Sequence, residues 1–327
     1  MSAPILTVEN LSVSFPAAGA RAAVVDGVSL AVSPGEVLAL VGESGCGKSM
    51  TALAILRLIA KPGRIEATSR IAFEDRDVLA LKVTQMRALR GAGIAMIFQE
   101  PMASLNPVQT VGDQVIEALR LHERVGRSAA RDRAARIFER VHIPDPRGRL
   151  DAYPHQLSGG LKQRVMIAMM LVVRPRLLIA DEPTTALDVT VQAQILALLR
   201  ELQDELDMSI LLITHDFGVV NELADRVAVM YAGRIAEEGT RAEVLGAPRH
   251  PYTQGLLRSI PSLAHRGSDL EEIAGTVPSI GTWPAGCRFA TRCPKVFAPC
   301  EAEVPQTVRL SQSHRTACHD VAREFVS

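Results

Sequence analysis

The residues best able to do chemistry form a short glycine-rich run near the N-terminus. It fits the pattern G-x-x-x-x-G-K-[ST] and lies between a predicted strand at residues 37–41 and a predicted helix at residues 49–60. Glycines let backbone N–H groups turn inward around phosphate oxygens, and a helix N-terminus favours negative charge. We expect the Lys48 ammonium to bridge the β- and γ-phosphates and the Ser49 hydroxyl to ligate Mg²⁺. The residues assigned to this site are Gly42, Ser44, Gly45, Cys46, Gly47, Lys48, Ser49 and Met50.

A pair of acids forms the second candidate site. An apolar strand predicted at residues 177–180 runs directly into Asp181 and Glu182. In open α/β sheets, ligands bind at the carboxyl ends of the strands. We expect Asp181 to hold Mg²⁺, directly or through water, and Glu182 to polarise an attacking water. The alternative is an acidic pair on the surface, which the apolar strand leading into it disfavours.

The elements that must position these groups are strands that alternate with helices. Fully apolar strands separated by helices indicate a parallel sheet covered on both faces, so the sequence predicts an α/β fold with a parallel-sheet core. The charge-rich helical stretch in the middle is expected to be an inserted helical subdomain at about residues 100–175. Further strands are predicted at residues 94–98, 210–213 and 227–230, and further helices at residues 111–142 and 191–206.

The last quarter of the chain has a different composition. Prolines interrupt it at positions 248, 251, 261, 278, 284, 294, 299 and 305. Proline ends helices and cannot donate to a sheet, so we expect an irregular appendage with little regular structure. The chain is therefore divided into a first domain at residues 1–246 and a C-terminal extension at residues 247–327.

Charge and hydropathy argue against several classes of function. The chain has 36 basic and 36 acidic residues and a net charge of zero, which disfavours a nucleic-acid partner. Its longest unbroken apolar run covers only residues 165–173, whereas a helix that crosses a bilayer needs about 20 such residues. The first residues lack the basic start and the apolar core of a secretion signal. We expect a soluble protein of the cytoplasm.

A third motif points to a family. Residues 157–164 read Leu-Ser-Gly-Gly-Leu-Lys-Gln-Arg and lie just before the acidic strand. This run resembles the signature sequence of ABC ATPases, which implies a P-loop ABC ATPase fold and ATP hydrolysis; P-loop kinases and GTPases lack it. In that family two subunits pair head to tail. Ser158, Gly159 and Gly160, at a helix start, would therefore face the ATP held by the partner's phosphate loop.

The roles of four other segments are implied by the same resemblance, which covers about residues 4–246. Gln99 matches the glutamine that senses Mg²⁺ and the attacking water, and His215 matches the switch histidine that contacts the γ-phosphate. Residues 186–188 match the loop that crosses the dimer interface. Phe15 matches the aromatic residue that stacks on adenine, with an ordinary core position as the alternative.

Three further stretches resemble the ATPases of oligopeptide and dipeptide importers. They are residues 98–107, residues 249–257 and the cysteine-bearing segment from residue 286 onward. The resemblance implies an ATP-hydrolysing subunit that energises peptide import. Importers of nickel or other small solutes share parts of the pattern and are the first alternative. A soluble ABC protein outside transport is less favoured, because such proteins usually have two ATPase units or a long coiled-coil insertion.

Cysteines cluster near the C-terminus. Cys46, in the phosphate loop, is interpreted as a small filler, and the other four have the spacing C-x5-C-x6-C-x17-C. Paired C-x2-C knuckles, the usual zinc signature, are absent. Four thiolates can ligate a [4Fe–4S] cluster, and some members of this subfamily are thought to carry one. We expect such a cluster, with zinc or unliganded thiols as alternatives. The ligand candidates are Cys287, Cys293, Cys300 and Cys318.

The family resemblance also implies an assembly. One chain has a single set of motifs, so it needs a second ABC ATPase subunit, and a heterodimer is favoured over a homodimer. Two membrane permease subunits and a periplasmic or extracellular substrate-binding protein complete the implied complex. The expected location is peripheral, at the cytoplasmic face of the bacterial inner membrane.

Overall fold

A computed structural model of the chain describes residues 3–17, 19–99, 104–185, 187–260 and 272–326. The strands described are β1 (Leu6–Ala17), β2 (Ala20–Val32), β3 (Val37–Val41), β4 (Arg64–Ile65), β5 (Arg70–Phe73), β6 (Arg76–Asp77), β7 (Ile94–Ile97), β8 (Leu177–Asp181), β9 (Ser209–Thr214), β10 (Arg226–Tyr231), β11 (Arg234–Thr240), β12 (Thr307–Arg309) and β13 (Arg315–Ala317). The α-helices are α1 (Lys48–Ile55), α2 (Val83–Ala92), α3 (Val111–His122), α4 (Arg127–Arg140), α5 (Pro146–Arg149), α6 (Gly159–Leu171), α7 (Val189–Leu206), α8 (Phe217–Leu223), α9 (Arg241–Gly246), α10 (Pro251–Arg258), α11 (Ala298–Ala302) and α12 (His319–Val326). None of the helices in these ranges combines the length and the apolar character needed to cross a bilayer.

The chain divides into two compact units, which interleave along the sequence. Unit 1 consists of Met1–Ile5, Val32–Glu36 and Ala80–Leu212. Unit 2 consists of Leu6–Ala31, Val37–Leu79 and Ile213–Ser327. The domain boundary expected at residue 246 stays a prediction.

Unit 1 is built around the parallel strands β7 and β8. Ile94 lies opposite Leu177 and Ile97 opposite Ala180, and every residue of both strands is buried. Helix α6 packs on β7 and also against α3 and α4. The predicted strand at residues 94–98 and the predicted helical stretch at residues 111–142 are confirmed, the latter as two helices rather than one.

Unit 2 contains two sheets. In the first, the strand order is β12-β13-β11-β10-β3, with β3 and β10 parallel and β11 antiparallel to both β10 and β13. In the second, the order is β2-β1-β5-β6, with β4 paired to β1. The parallel arrangement expected from the apolar strands is confirmed for β3 with β10 as well as for β7 with β8.

Two expectations about regular structure were wrong. The helix predicted at residues 49–60 ends at Ile55, because Arg57 adopts a left-handed φ of 51° that turns the chain away. The segment after residue 246 contains more regular structure than its prolines suggested: helices α10 and α12 form, and β13 pairs with β11. Pro251 occupies the first turn of α10, where a missing N–H has no intrahelical partner to lose.

Candidate nucleotide site

The glycine-rich run of unit 2 forms a tight loop between β3 and α1. Gly42, Gly45 and Gly47 have φ values of 155°, 78° and 109°, a region that other residues rarely adopt. A Cβ atom at position 42 would overlap the carbonyl oxygen of Met230, and one at position 47 would lie 2.9 Å from the carbonyl oxygen of Val24. The loop is therefore closed to side chains at both ends.

Lys48 lies across this loop. Its ammonium donates to the carbonyl oxygens of Gly42 at 2.7 Å and Glu43 at 3.1 Å, and the residue is only 5% exposed. Ser49 follows in the first turn of α1, whose N-cap, Gly47, offers no side chain to the free N–H groups. A glycine cradle, free helix-start N–H groups and a positive charge together suit a triphosphate. The residues present therefore fit the predicted ligand.

Cys46 fills the interior of the loop. Its backbone carbonyl accepts from the Gly233 N–H at 2.8 Å, and its side chain is buried. Burial raises the pKa of this thiol, so it remains protonated near neutral pH. This agrees with the interpretation of Cys46 as a small filler.

Two other predicted nucleotide residues belong to unit 2. Phe15 lies on β1 and is half-buried, with its ring against Gly63, where a Cβ atom would collide with it. His215 directly follows β9 and is exposed. The structure places Phe15 on the antiparallel sheet and His215 at a strand end. Their proposed contacts with adenine and the γ-phosphate stay predictions.

The acidic pair of unit 1 stands at the end of β8. Asp181 is 2% and Glu182 is 8% exposed, and Glu182 has a left-handed φ of 50° that turns the chain sharply out of the strand. The Glu182 carboxylate accepts from the Gln99 amide at 3.4 Å and from the Thr185 hydroxyl at 2.9 Å. The structure thus brings two predicted residues, Gln99 and Glu182, into contact. The sequence reasoning missed Thr185, three residues after Glu182.

The signature segment begins α6, also in unit 1. Ser158 is its N-cap, and its hydroxyl accepts from the Leu161 N–H at 3.4 Å. A Cβ atom at Gly159 would find its nearest neighbour, Leu187, 4.0 Å away. One turn later, the buried Gln163 amide donates to the Pro183 carbonyl at 2.5 Å. This bond ties α6 to the residue after Glu182.

Parts of two predicted segments lie outside the described residues. Residue 186 is outside them, so the predicted interface loop is described at residues 187 and 188 alone, where Asp188 accepts from the Val191 N–H at 2.9 Å and caps α7. Residues 100–103, within the segment that resembles peptide importers, are also outside them.

The sequence reasoning missed two residues of unit 2 that contact the start of the phosphate loop at Glu43. The Tyr252 hydroxyl accepts from the Glu43 N–H at 3.0 Å. The Arg292 guanidinium donates to both carboxylate oxygens of Glu43, at 2.7 and 3.0 Å. Tyr252 and Arg292 follow Glu43 by more than 200 residues, so local patterns do not reveal them. Glu43 could have given a signal, because an acid inside an anion-binding loop predicts a nearby cation.

The four C-terminal cysteines lie near one another in unit 2. Burial raises the pKa of Cys287 to about 11; the neighbouring Cys300, Cys318 and Cys293 raise it further, while a backbone N–H from Phe289 opposes the shift. The Cys287 N–H donates to the Cys300 carbonyl at 2.8 Å, and all four thiols are free. Within the described ranges, however, no three or more His, Cys, Asp or Glu side chains are arranged to hold a metal ion.

The loop and the acidic strand define a class. A glycine-rich phosphate loop spanned by a lysine, and a buried strand that ends at Asp181 and is followed by Glu182, are characteristic of P-loop ATPases.

Comparisons with known proteins then give the family. The model for ABC transporters matches residues 25–185, and the model for the oligopeptide/dipeptide transporter C-terminal region matches residues 236–300. The dipeptide transport ATP-binding protein DppD of Bacillus subtilis is 51% identical over 315 residues, covering 96% of this chain and 94% of that protein. DppD of Haemophilus influenzae is 51% identical over 320 residues, covering 98% and 96%.

A solved structure supports the fold. The ATP-binding cassette MJ0796, in a dimeric post-hydrolysis state bound to ADP and Pi, matches with a TM-score of 0.64 and 24% identity, covering 72% of this chain and 98% of that one. The chain belongs to the ABC transporter family, as an ATP-binding subunit that binds ATP with Mg²⁺ and hydrolyses it.

Proposed function

We propose that this chain energises the import of dipeptides and oligopeptides by hydrolysing ATP for a membrane permease complex. The proposal rests on one observation: the same chain contains a phosphate loop that excludes side chains at Gly42 and Gly47 and a C-terminal extension of the oligopeptide/dipeptide transporter type. The names of the relatives, dipeptide transport ATP-binding proteins, support the class of substrate.

The phosphate loop is proposed to bind the nucleotide. The N–H groups from Ser44 to Met50 would surround the phosphates, and the Lys48 ammonium would exchange its two carbonyl partners for the β- and γ-phosphate oxygens. The Ser49 hydroxyl and the Asp181 carboxylate are suitable oxygen ligands for Mg²⁺, which neutralises charge on the phosphates. Phe15 would stack on adenine.

Glu182 is proposed as the general base. Its carboxylate is held by Thr185 and Gln99, so it is oriented before a water arrives. Because the left-handed backbone at Glu182 directs the chain out of β8, the side chain is fixed at a strand end, where ligands of α/β sheets bind. His215 would contact the γ-phosphate.

The proposed assembly contains a second ABC ATPase, preferably a different chain, two permease subunits and an external substrate-binding protein. Ser158, Gly159 and Gly160, at the start of α6, would face the partner's ATP. The support for this role comes from Gly159, which the chain itself leaves uncrowded. The complex would sit at the cytoplasmic face of the bacterial inner membrane. No nucleic acid is proposed as a partner, given the balanced charge.

The test uses the complex reconstituted with its permease in liposomes. Glu182→Gln should retain Mg-ATP binding while ATP hydrolysis falls at least about 100-fold. Lys48→Ala should lose Mg-ATP affinity. Glu201→Gln, which neutralises an exposed acid on α7, serves as the matched control and should hydrolyse normally. Near-normal turnover in Glu182→Gln would remove it as general base.

Uptake assays identify the cargo. A panel of labelled dipeptides and oligopeptides, together with Ni²⁺, should show ATP-dependent uptake of peptides and none of nickel. Nickel uptake without peptide uptake would assign the alternative importer class.

We also propose that Cys287, Cys293, Cys300 and Cys318 ligate a [4Fe–4S] cluster, with zinc as the alternative. Four free thiols within one extension support this; the described side chains do not form a ligand set. Protein purified without oxygen should be brown and contain stoichiometric iron and sulfide, and a variant with all four cysteines changed to serine should contain neither. Colourless protein with zinc would replace the cluster by zinc, and metal-free protein would overturn both.

A further inference from the structure

The phosphate loop contains a negative charge that its task disfavours. Glu43 directly follows Gly42, in a loop expected to attract a triphosphate. A carboxylate within several ångströms of the phosphates repels them by an amount that corresponds to roughly a tenfold loss of affinity or more at an effective dielectric constant near 20. This position therefore needs a compensating cation.

Arg292, from the C-terminal extension, supplies that cation. Its guanidinium donates to both Glu43 oxygens, at 2.7 and 3.0 Å, in the two-point geometry that makes arginine–carboxylate pairs strong. The Arg292 side chain is 3% exposed and the Glu43 side chain 30% exposed, so the pair is partly shielded from water and salt.

Arg292 is itself held in place by the extension and by β10. Its remaining N–H groups donate to the carbonyl oxygens of Ala274 at 3.0 Å and Ile273 at 3.2 Å, and to the Tyr231 hydroxyl at 3.4 Å. It ends the 3-10 turn Ala290–Arg292, immediately before Cys293. The guanidinium therefore cannot leave Glu43 without breaking several other hydrogen bonds.

The backbone of Glu43 is fixed from both sides. Its N–H donates to the Tyr252 hydroxyl at 3.0 Å, and its carbonyl accepts from Lys48 at 3.1 Å. Tyr252 is fully buried, and its ring stands edge-on to Tyr231 at 4.6 Å. The extension thus holds the main chain and the side chain of the same loop residue, and that residue contacts the phosphate-binding lysine.

We propose that Arg292 is a positioning residue for ATP binding. It neutralises Glu43 and, together with Tyr252, fixes the start of the phosphate loop, so the C-terminal extension sets the nucleotide affinity of the ATPase. The inference rests on the proposed function only in requiring that Mg-ATP binds this loop.

The extension offers a matched control in Arg288. This side chain is also nearly buried, at 9% exposure, is also next to a cysteine, and also forms an ion pair with an acid of the preceding domain. Its partner, however, is Asp26 on β2 rather than a residue of the phosphate loop, and its guanidinium lies 3.5 Å from the Trp283 ring.

The experiment measures Mg-ATP affinity of the full-length chain by displacement of a fluorescent ATP analogue. Arg292→Gln should weaken binding roughly tenfold, since it leaves Glu43 uncompensated. Adding Glu43→Gln to that variant removes the repulsion and should restore affinity to within about threefold of wild type. Arg288→Gln should bind as wild type does. In the reconstituted complex, Arg292→Gln should raise KM for ATP more than it lowers kcat.

Several outcomes would overturn the inference. Equal losses in Arg292→Gln and Arg288→Gln would indicate a merely structural role, and so would an absence of recovery in the double variant. If thermal melting shows that Arg292→Gln is unfolded, the variants Arg292→Lys and Arg288→Lys are compared instead. Lysine keeps the positive charge but cannot bind a carboxylate at two points as the guanidinium does. Weaker ATP binding in Arg292→Lys alone is then expected, and equal affinities contradict the proposal.

A failure of the proposed function would look different. Wild-type protein that binds no Mg-ATP, or Lys48→Ala that binds it normally, would contradict the phosphate-loop assignment itself. Loss of binding in Lys48→Ala combined with normal binding in Arg292→Gln would overturn the inference about Arg292 alone.

Discussion

Two helix starts, those of α1 and α6, are built in opposite ways. At α1 the N-cap is Gly47, which has a φ of 109° and no side-chain cap, and neighbouring backbone closes around it. At α6 the N-cap is Ser158, whose hydroxyl accepts from the Leu161 N–H. At the next residue, Gly159, a Cβ atom would have its nearest neighbour 4.0 Å away.

The difference shows which of these glycines are required by the fold of this chain alone. The glycines before α1 are required by the fold of the chain: Gly42, Gly45 and Gly47 all have positive φ values, and at Gly42 and Gly47 packing also excludes a side chain. At Gly159, the first residue of α6, no contact of the described residues requires a glycine. Its small size is instead explained by the proposed approach of a second subunit's nucleotide.

The largest effect is expected from Gly47→Ala. The new side chain would be strained at a φ of 109° and would press on the Val24 carbonyl at 2.9 Å. Strain and overpacking together should cost about 2–6 kcal/mol and abolish ATP binding. Urea unfolding and Mg-ATP titration measure both effects. A stable variant with normal affinity would remove the contrast between the two helix starts.

Acid should destabilise the fold through His250, the N-cap of α10. His250 accepts from the Tyr252 N–H through its ring, and burial lowers its pKa to about 4, with Glu237 opposing the shift. The unfolded chain takes up this proton below the ordinary value of 6.5, while the folded chain stays neutral. Stability should therefore fall as pH drops from 6.5 toward 4, by about 3 kcal/mol in total.

Urea unfolding over that pH range measures this loss. His250→Asn keeps an N-cap acceptor that does not titrate, so its free energy of unfolding should depend less on pH than that of wild type. Identical pH profiles for the two proteins would show that His250 is not the source.

An intermediate effect is expected from Gln163→Leu, one turn into α6. The change leaves the buried Pro183 carbonyl without its 2.5 Å donor, which should cost about 1–3 kcal/mol. Because Pro183 follows Glu182, ATP turnover of the complex should fall more than ATP binding does. Lys162→Ala, on the same turn but only half-buried, is the control. Equal stability and equal ATP turnover in the two variants would show that the Gln163–Pro183 hydrogen bond does not couple α6 to the acidic strand.

A smaller effect is expected from Ser158→Ala, which removes the cap of α6. Such caps contribute about 1 kcal/mol, and the 3.4 Å bond here is long. Ser158→Thr keeps the hydroxyl and should retain most of the stability. A loss above about 3 kcal/mol in urea unfolding would mean that this helix start is as deeply built into the fold as that of α1.

The smallest change in stability is expected from Gly159→Ala. The added methyl group meets nothing within van der Waals overlap, so the free energy of unfolding should change by less than about 0.5 kcal/mol. The assembled complex should nevertheless lose ATPase activity, because the methyl group would face the partner's nucleotide. Destabilisation of the isolated chain would show that Gly159 serves its own fold.

Strands of the core were the most predictable elements. The apolar run of β3 was predicted with its observed bounds, and β8 extends only one residue further than predicted, to include Asp181. Both strands are buried along their whole length, so hydrophobicity alone marks them. Helix α1 was overextended because apolar periodicity continues past Ile55 while the backbone turns at Arg57.

Contacts across long sequence separations could not be predicted. The phosphate loop was assigned from a local motif, but its ties to Tyr252 and Arg292 depend on the tertiary fold. Thr185 was closer at hand, yet its contact with Glu182 depends on a left-handed residue that composition does not reveal. The phosphate-loop motif could therefore be recognised from the sequence, whereas the residues that orient the loop and Glu182 could not.

The ion pair of Glu43 with Arg292 also orders events during synthesis. The two residues are 249 positions apart, so at ribosomal rates about 10–50 s pass between their translation. Throughout that interval the nascent phosphate loop has its carboxylate but not its guanidinium. A nucleotide-competent loop is thus a late product of translation, and a message truncated before Arg292 would yield a chain with every sequence motif of the ATPase and an uncompensated charge at its entrance.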